Sequence, residues 1–289
     1  MKFVTYNYNG TEYVGVLTND ETSVIPASEF GLKAGSMLEL IKELDGSYPA
    51  APTQAKSIAL SDVKLEAPIP EPRQDVICLG LNYRDHVEEA TRADAVFDIQ
   101  RGDAVYFSKR LQRAVAPGGE IDGHFDICDS LDYEVELGVI IGRDAKNVKA
   151  ADAGKYIFGY TIINDVSARN LQTRHKQWYF GKSLDDFTPM GPCILSADEV
   201  GAMPELDIRC YVNGEKRQDS NTRMMIFDIP YIIEELSAGM TLKAGTVIAT
   251  GTPSGVALGM APEVQKYLES GDVVRCEINR IGVLENTIA

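Results

Sequence analysis

At 289 residues the chain is about twice a typical ~150-residue domain, long enough to bury a sizeable core without disulfides or metal staples. Composition is that of a globular protein, 44% hydrophobic and 25% charged with no repetitive stretch, which excludes disordered, collagen-like and coiled-coil chains. With 28 Lys+Arg against 43 Asp+Glu the formal net charge is −15, a balance that repels nucleic-acid backbones and anionic lipid surfaces.

Apolar runs such as 137–141 are far shorter than the ~18 residues of a membrane span. The start, Met1-Lys2-Phe3-Val4-Thr5-Tyr6-Asn7, lacks the apolar region of a signal peptide. Five widely spaced cysteines without a C-x-x-C pattern suit reduced thiols in a cytoplasmic protein. The expected partner is therefore a small molecule, and an acidic one would need a local positive centre.

In chain order, β-type runs at Lys2–Tyr8 and Glu12–Leu17 flank the hairpin pair Asn9-Gly10. A short helix is expected over Ser36–Leu44 and a run near Val63–Leu65. Pro68, Pro70 and Pro72 then favour an extended connector. This divides the chain into a small α+β unit, 1–66, and a larger unit, 67–289. In the latter, strands are expected at Asp75–Leu79, Ala104–Phe107, Tyr133–Gly142, Tyr156–Ile163, Ile208–Val212, Val273–Ile278 and Gly282–Thr287. The clearest helix is Ile229–Ala238, with Asp228 as N-cap, Pro230 in its first turn and Gly239 as C-cap. Strands outnumber helices without βαβ alternation, so the fold class is α+β, mainly β and mainly antiparallel.

Four segments carry chemistry. On a strand, Glu134 and Glu136 point to one face. With Asp165 at the end of the next strand they make a hard, oxygen-rich set suited to Mg²⁺, Mn²⁺ or Ca²⁺; the alternative is a solvated strand face. If 82–90 is helical, His86 and Glu89 face each other at i,i+3, the arrangement of a general base with its orienting carboxylate; the alternative is a surface pair. Arg169, Arg174, Lys176 and Lys182 form a basic stretch able to hold a carboxylate or an enolate oxyanion, or else a scatter of surface charge. Finally, Thr250-Gly251-Thr252-Pro253-Ser254-Gly255 is a glycine turn at a strand end that offers backbone N–H groups to an anion, without P-loop spacing.

In their order along the chain, six segments resemble the fumarylacetoacetate hydrolase family. They are Gly80-Leu81-Asn82-Tyr83 through His86 and Glu89, Phe107-Ser108-Lys109, Asp132–Leu137, Asn164–Arg169, Gly181–Pro192 and Thr250–Gly255. The resemblance runs from about Ala67 to the C-terminus. It implies a mixed β-roll or β-sandwich fold, usually a homodimer, with Mg²⁺ or Mn²⁺ held by Glu134, Glu136 and Asp165. It further implies that Lys182, Gln172 and Thr252 contact substrate or orient the site, with Arg169 nearby. His86 and Glu89 would sit on a lid over about 81–103 and activate water. The activity implied first is hydrolysis of a C–C bond in an acylpyruvate-like oxo acid. Decarboxylase, isomerase or lyase chemistry on a related acid (oxaloacetate, a 2-hydroxymuconate-type diacid, ureidoglycolate) is the alternative, and an idle metabolite-binding protein a third. Asn170, Arg110 and Arg223-Met224 depart from the family pattern and bear on substrate identity.

Overall fold

The computed structural model describes residues 1–87 and 102–289. Glu89, and with it the proposed His86–Glu89 dyad and most of the segment read as a lid, lies outside the described residues.

Eleven strands make one large sheet. Its centre is the run Lys2–Tyr8, Met190–Ser196, Ile157–Asn164, Val135–Ile141, Val247–Ala249, Val76–Gly80 and Val105–Lys109, each hydrogen-bonded to the next. Val247–Ala249 and Val76–Gly80 pair in parallel; the other neighbours in this run are antiparallel. A second sheet of five strands runs Glu215–Asn221, Asp207–Val212, Val273–Ile278, Gly282–Ile288 and Glu120–Ile121. The expected mainly β architecture is present. Met190–Ser196 escapes sequence reading, because Pro192 interrupts its pattern.

Alternation explains how the sheets stack. Val135, Leu137 and Val139 enter one core with Ile208, Cys210, Cys276 and Leu284 of the five-stranded sheet. Ile140 and Ile163 join Phe3, Phe158 and Ile194 in a second core, which the helix Met37–Leu44 closes with Met37, Leu40, Ile41 and Leu44. The central strands are thus buried on both faces, and any polar side chain on them must find its partners inside the protein.

Local signals are realised as read. Asn9 and Gly10 both take positive φ, 52° and 83°, and reverse the chain between Tyr8 and Thr11. Asp228 caps its helix by accepting the Tyr231 N–H at 2.8 Å, but that helix runs Ile229–Gly239, so its C-cap is Met240 and not the expected Gly239. The proline stretch is packed rather than free: Ala67 and Ile69 are buried, and Thr5 Oγ1 donates to the Pro68 carbonyl at 2.7 Å. Phe3 pairs with Ile194, so residues 1–66 extend the sheet of the larger unit. Among the described residues no helix is long and apolar enough to cross a membrane.

Candidate active site

The site forms where two central strands end side by side. Val135 pairs with Asn164 and Glu136 with Ile163. Glu134 and Asp165 stand just beyond those ends, tied back to back by the Asp165 N–H on the Glu134 carbonyl (2.8 Å). Asn164 Oδ1 accepts the Glu134 N–H at 3.0 Å. Glu134, Glu136 and Asp165 each turn a carboxylate oxygen to one point, all within 4.8 Å of one another.

The third wall is the glycine turn. Thr250 Oγ1 donates to the Leu137 carbonyl at 2.8 Å and Thr252 Oγ1 to that of Val135 at 2.9 Å. Gly251, at φ +94°, presents its N–H to Glu136 Oε2 at 2.8 Å. The anion received by this turn is therefore a carboxylate of the protein itself. The Thr252 hydroxyl also accepts Gln218 Nε2 at 2.8 Å, so both of its roles here are filled by protein groups.

A solvated strand face was the alternative for these carboxylates. They are instead interior: Glu134 is 6% exposed, Glu136 1% and Asp165 0%. Burial is sustained by buried cations. Lys182 Nζ bridges Glu134 Oε2 (2.8 Å) and Asp165 Oδ2 (2.7 Å). Lys109 Nζ lies 2.7 Å from Asp165 Oδ1 and donates to the Val166 carbonyl at 2.9 Å. Arg169 joins Asp132 (Nε, 2.9 Å) to Glu134 (Nη2, 2.7 Å) and donates through Nη1 to Gln172 Oε1 at 3.0 Å. Asp132 in turn accepts the N–H groups of Ala257 and Leu258 at 2.8 and 3.0 Å.

The basic stretch therefore divides. Arg174 and Lys176 are exposed, whereas Arg169 and Lys182 are buried within the site. Arg169 donates to Gln172 and is ion-paired with the carboxylates of Asp132 and Glu134. Lys109 and Asp132 belong to the network although residue-type reasoning gave neither a role. Their signals were Phe107-Ser108-Lys109 and the first acid of Asp132-Tyr133-Glu134-Val135-Glu136.

Charge in this network is uneven. Among the described residues, four buried carboxylates (Asp132, Glu134, Glu136, Asp165) meet three buried cations (Lys109, Arg169, Lys182). Burial would raise Glu134, but Lys182 and then Arg169 outweigh it and hold the carboxyl below its usual range. Burial would likewise lower Lys182, yet Asp165 and Glu134 raise it. For Lys109 burial prevails and its pKa is lowered. Glu136 is the surplus acid. Burial, then the charges of Asp165 and Glu134, push it well above the usual carboxylate range. An oxygen-only donor set with one uncompensated buried carboxylate fits a hard divalent cation, and the cluster could hold one.

His86 sits in the helical turn that begins at Arg84. Asp85 Oδ1 accepts the His86 N–H at 2.9 Å, and Asp85 Oδ2 accepts from Ser254 Oγ at 3.0 Å. His86 is among the electrostatic neighbours of Glu134, after Lys182 and Arg169. One aromatic layer covers Lys182: its Nζ lies 5.4 Å from the Phe107 ring centroid, and Phe107 meets Trp178 edge-on at 5.1 Å.

Known proteins share this arrangement of the whole chain. The family model for the fumarylacetoacetate (FAA) hydrolase C-terminal region matches residues 75–289. The oxaloacetate tautomerase YisK of Bacillus subtilis (strain 168) is 40% identical over 307 residues, covering 100% of each chain. A fumarylacetoacetate hydrolase from psychrophilic Exiguobacterium antarcticum is 38% identical, with a TM-score of 0.85 over 100% of this chain and 99% of that one. A 2-hydroxyhepta-2,4-diene-1,7-dioate isomerase from Mycobacterium marinum is 30% identical, with a TM-score of 0.76 over 100% and 98%.

Proposed function

The chain belongs to the fumarylacetoacetate hydrolase family, and on that premise we propose that it is a keto–enol tautomerase of a small 2-oxo dicarboxylic acid of the oxaloacetate type. The observation that carries the choice of reaction is the 40% identity, over the full length of both chains, to an oxaloacetate tautomerase. The site geometry supports chemistry at a carbon beside an oxo group. Glu134, Glu136 and Asp165 would hold Mg²⁺ or Mn²⁺. Bound there, such an ion supplies Lewis-acid polarisation of a 2-oxo group. It would also turn the single surplus negative charge of the network into a single positive one, which suits a carboxylate ligand in an otherwise acidic protein.

The chain's own groups do the rest. Lys182 Nζ, fixed between Glu134 and Asp165, places a compact positive charge beside the oxygen that becomes negative as the enolate forms. His86 is the proton carrier: its ring nitrogen takes a proton from the carbon next to the oxo group and delivers it to the enolate oxygen, and carries it from oxygen to carbon in the reverse direction. The C–H bond broken on one side of the equilibrium is matched by the O–H bond formed on the other. Arg169, Lys109 and Asp132 hold the carboxylates in place and do not touch the reacting atoms. The burial of the cluster excludes water from the basic groups, which favours proton transfer over hydrolytic attack.

Hydrolysis of an acylpyruvate is the second reading, favoured by His86 as an electrostatic neighbour of Glu134 and by the similarity to the Exiguobacterium hydrolase. One experiment separates the two. The Mn²⁺- or Mg²⁺-supplemented protein is given oxaloacetate enriched in its enol form, and the decay of enol absorbance is followed. It is then given acylpyruvates, and pyruvate release is followed. Acceleration of enol decay without pyruvate release supports tautomerisation; pyruvate release from acylpyruvates with no effect on enol decay replaces it with hydrolysis.

A further inference from the structure

In the stretch 173–180 every residue is exposed except Trp178, which is half-buried. This stretch reverses the chain between the helix Arg169–Arg174 and the single turn Tyr179–Lys182. Lys176 takes φ 59°, and the Gln177 N–H donates to the His175 carbonyl at 2.7 Å. A surface turn with few buried contacts opens readily, so the indole is what fastens this one to the body of the protein. Its seat is Gly80, the last residue of the strand Val76–Gly80. The three atoms nearest to a Cβ placed on Gly80 all belong to the indole, the first two at 2.1 and 2.4 Å. Only a residue without a side chain lets the ring lie so close to that backbone. The ring also meets Phe107 edge-on, with centroids 5.1 Å apart.

Two routes lead from this anchor to Lys182. Through the backbone, the Trp178 carbonyl accepts the Lys182 N–H at 3.1 Å, so the anchored residue also closes the turn that carries the lysine. Through side chains, the Phe107 ring lies 5.4 Å from Lys182 Nζ, within reach of a cation–π attraction. The far end of the turn is pinned separately. A Cβ on Gly181 would meet the Gln172 N at 2.4 Å, and the Lys182 carbonyl accepts Lys109 Nζ at 2.5 Å. The flexible four-carbon stem of a lysine does not fix its own ammonium. Bridging Glu134 and Asp165 at 2.8 and 2.7 Å therefore depends on where the backbone of residue 182 is held. Resting on the role given to Lys182 above, we propose that Trp178 is a positioning residue: seated on Gly80, it fixes the turn that aims Lys182 at the reacting oxygen, acting through the lysine and not on the substrate.

The test compares wild type, Trp178→Ala and Gly80→Ala, the last adding a methyl where the indole lies. Amide hydrogen exchange is followed by mass spectrometry on the full chain with Mn²⁺. Both variants should speed exchange about tenfold or more in peptides covering 173–182 and leave the central strands Val135–Ile141 and Ile157–Asn164 unchanged. In enol-decay kinetics each should lower kcat by about 10- to 100-fold, the scale of a misplaced catalytic group. Two double variants separate positioning from packing. In Lys182→Met, Trp178→Ala should cost no further activity, because the group it positions is gone. In Trp178→Ala, Gly80→Ala should add nothing, because its methyl then meets no indole. Unchanged exchange over 173–182 overturns the proposal. So does exchange that rises throughout the chain, or an activity loss that adds in full to that of Lys182→Met, since either shows that the indole serves packing alone. If wild type does not accelerate enol decay, the tautomerase reading fails on its own, and the exchange pattern still decides whether Trp178 holds the turn of Lys182.

Discussion

Two carboxylates proposed for the same ion should respond oppositely to neutralisation. Asp165 lies 2.7 Å from both Lys109 and Lys182, and it is the one carboxylate paired with Lys109 among the described residues. Asp165→Asn leaves that ammonium, 0% exposed, with carbonyl partners only. Breaking a buried ion pair from one side typically costs about 3–5 kcal/mol. At roughly 2–3 °C per kcal/mol for a chain of this size, that is a fall of about 6–15 °C in thermal midpoint. Glu136, by contrast, is paired to no cation among the described residues; Oε2 accepts the Gly251 N–H, which a glutamine oxygen can also accept. Glu136→Gln should therefore stay within about 1 kcal/mol of wild type, or exceed it, because burial and its acidic neighbours already disfavour the charged form of this carboxyl, and a neutral amide replaces it. The assay is thermal unfolding of chelator-treated protein by circular dichroism. Equal losses for the two variants, or an unaffected Asp165→Asn, would refute the assignment of Asp165 as the keystone of the ion-pair network and Glu136 as its surplus acid.

Adding Mn²⁺ to the wild-type protein should raise the midpoint, by about 2.7 kcal/mol of stabilisation at a hundredfold excess over Kd, and the increment should vanish in Glu136→Gln when followed by scanning calorimetry. His86→Ala should slow oxaloacetate tautomerisation by roughly 10²–10⁴, the usual range for losing a general acid–base group, while Mn²⁺ binding measured by electron paramagnetic resonance is retained; full activity would remove His86 from the reaction. Lys182→Met should raise KM and lower kcat together, and Lys182→Arg should not restore either, because a planar fork cannot replace a compact ammonium between Glu134 and Asp165; steady-state kinetics on the same substrate decides this.

Much of the fold was legible because its signals are local. The Asn9-Gly10 turn, the Asp228 cap and the alternation of Val135, Leu137 and Val139 act over a few residues, and the structure realises each one. The convergence of Glu134 with Glu136 follows from strand periodicity, and Asp165 joins them because its strand ends in register with theirs. What could not be read is pairing at long range. Lys109 is 56 positions before Asp165 and Lys182 17 after it, yet both meet the same carboxylate. No local pattern distinguishes these lysines from the exposed Lys176. The difference is made by three walls brought together from distant segments, and by the requirement that charge buried there be matched.

That requirement also explains why a solvated strand face stood as the alternative to a metal site. Two glutamates spaced i,i+2 on a strand suggest a wet face, since an unpaired acid is costly inside a protein. Here the cost is met by three cations imported from other segments: Lys182 and Arg169 hold Glu134 below the usual carboxylate range despite its burial, whereas burial and the neighbouring acids push Glu136 above it. Arg169 is the clearest case. As a free guanidinium it would serve as a docking point for a substrate carboxylate; held by Asp132, Glu134 and Gln172, it fixes the geometry of Glu134 instead. Its replacement by lysine should therefore weaken Mn²⁺ binding through misplacement of Glu134, because a single ammonium cannot span Asp132 and Glu134 in two directions. Titration of Mn²⁺ into Arg169→Lys measures this directly. An unchanged Mn²⁺ affinity, with only KM raised, would return Arg169 to the role of substrate contact.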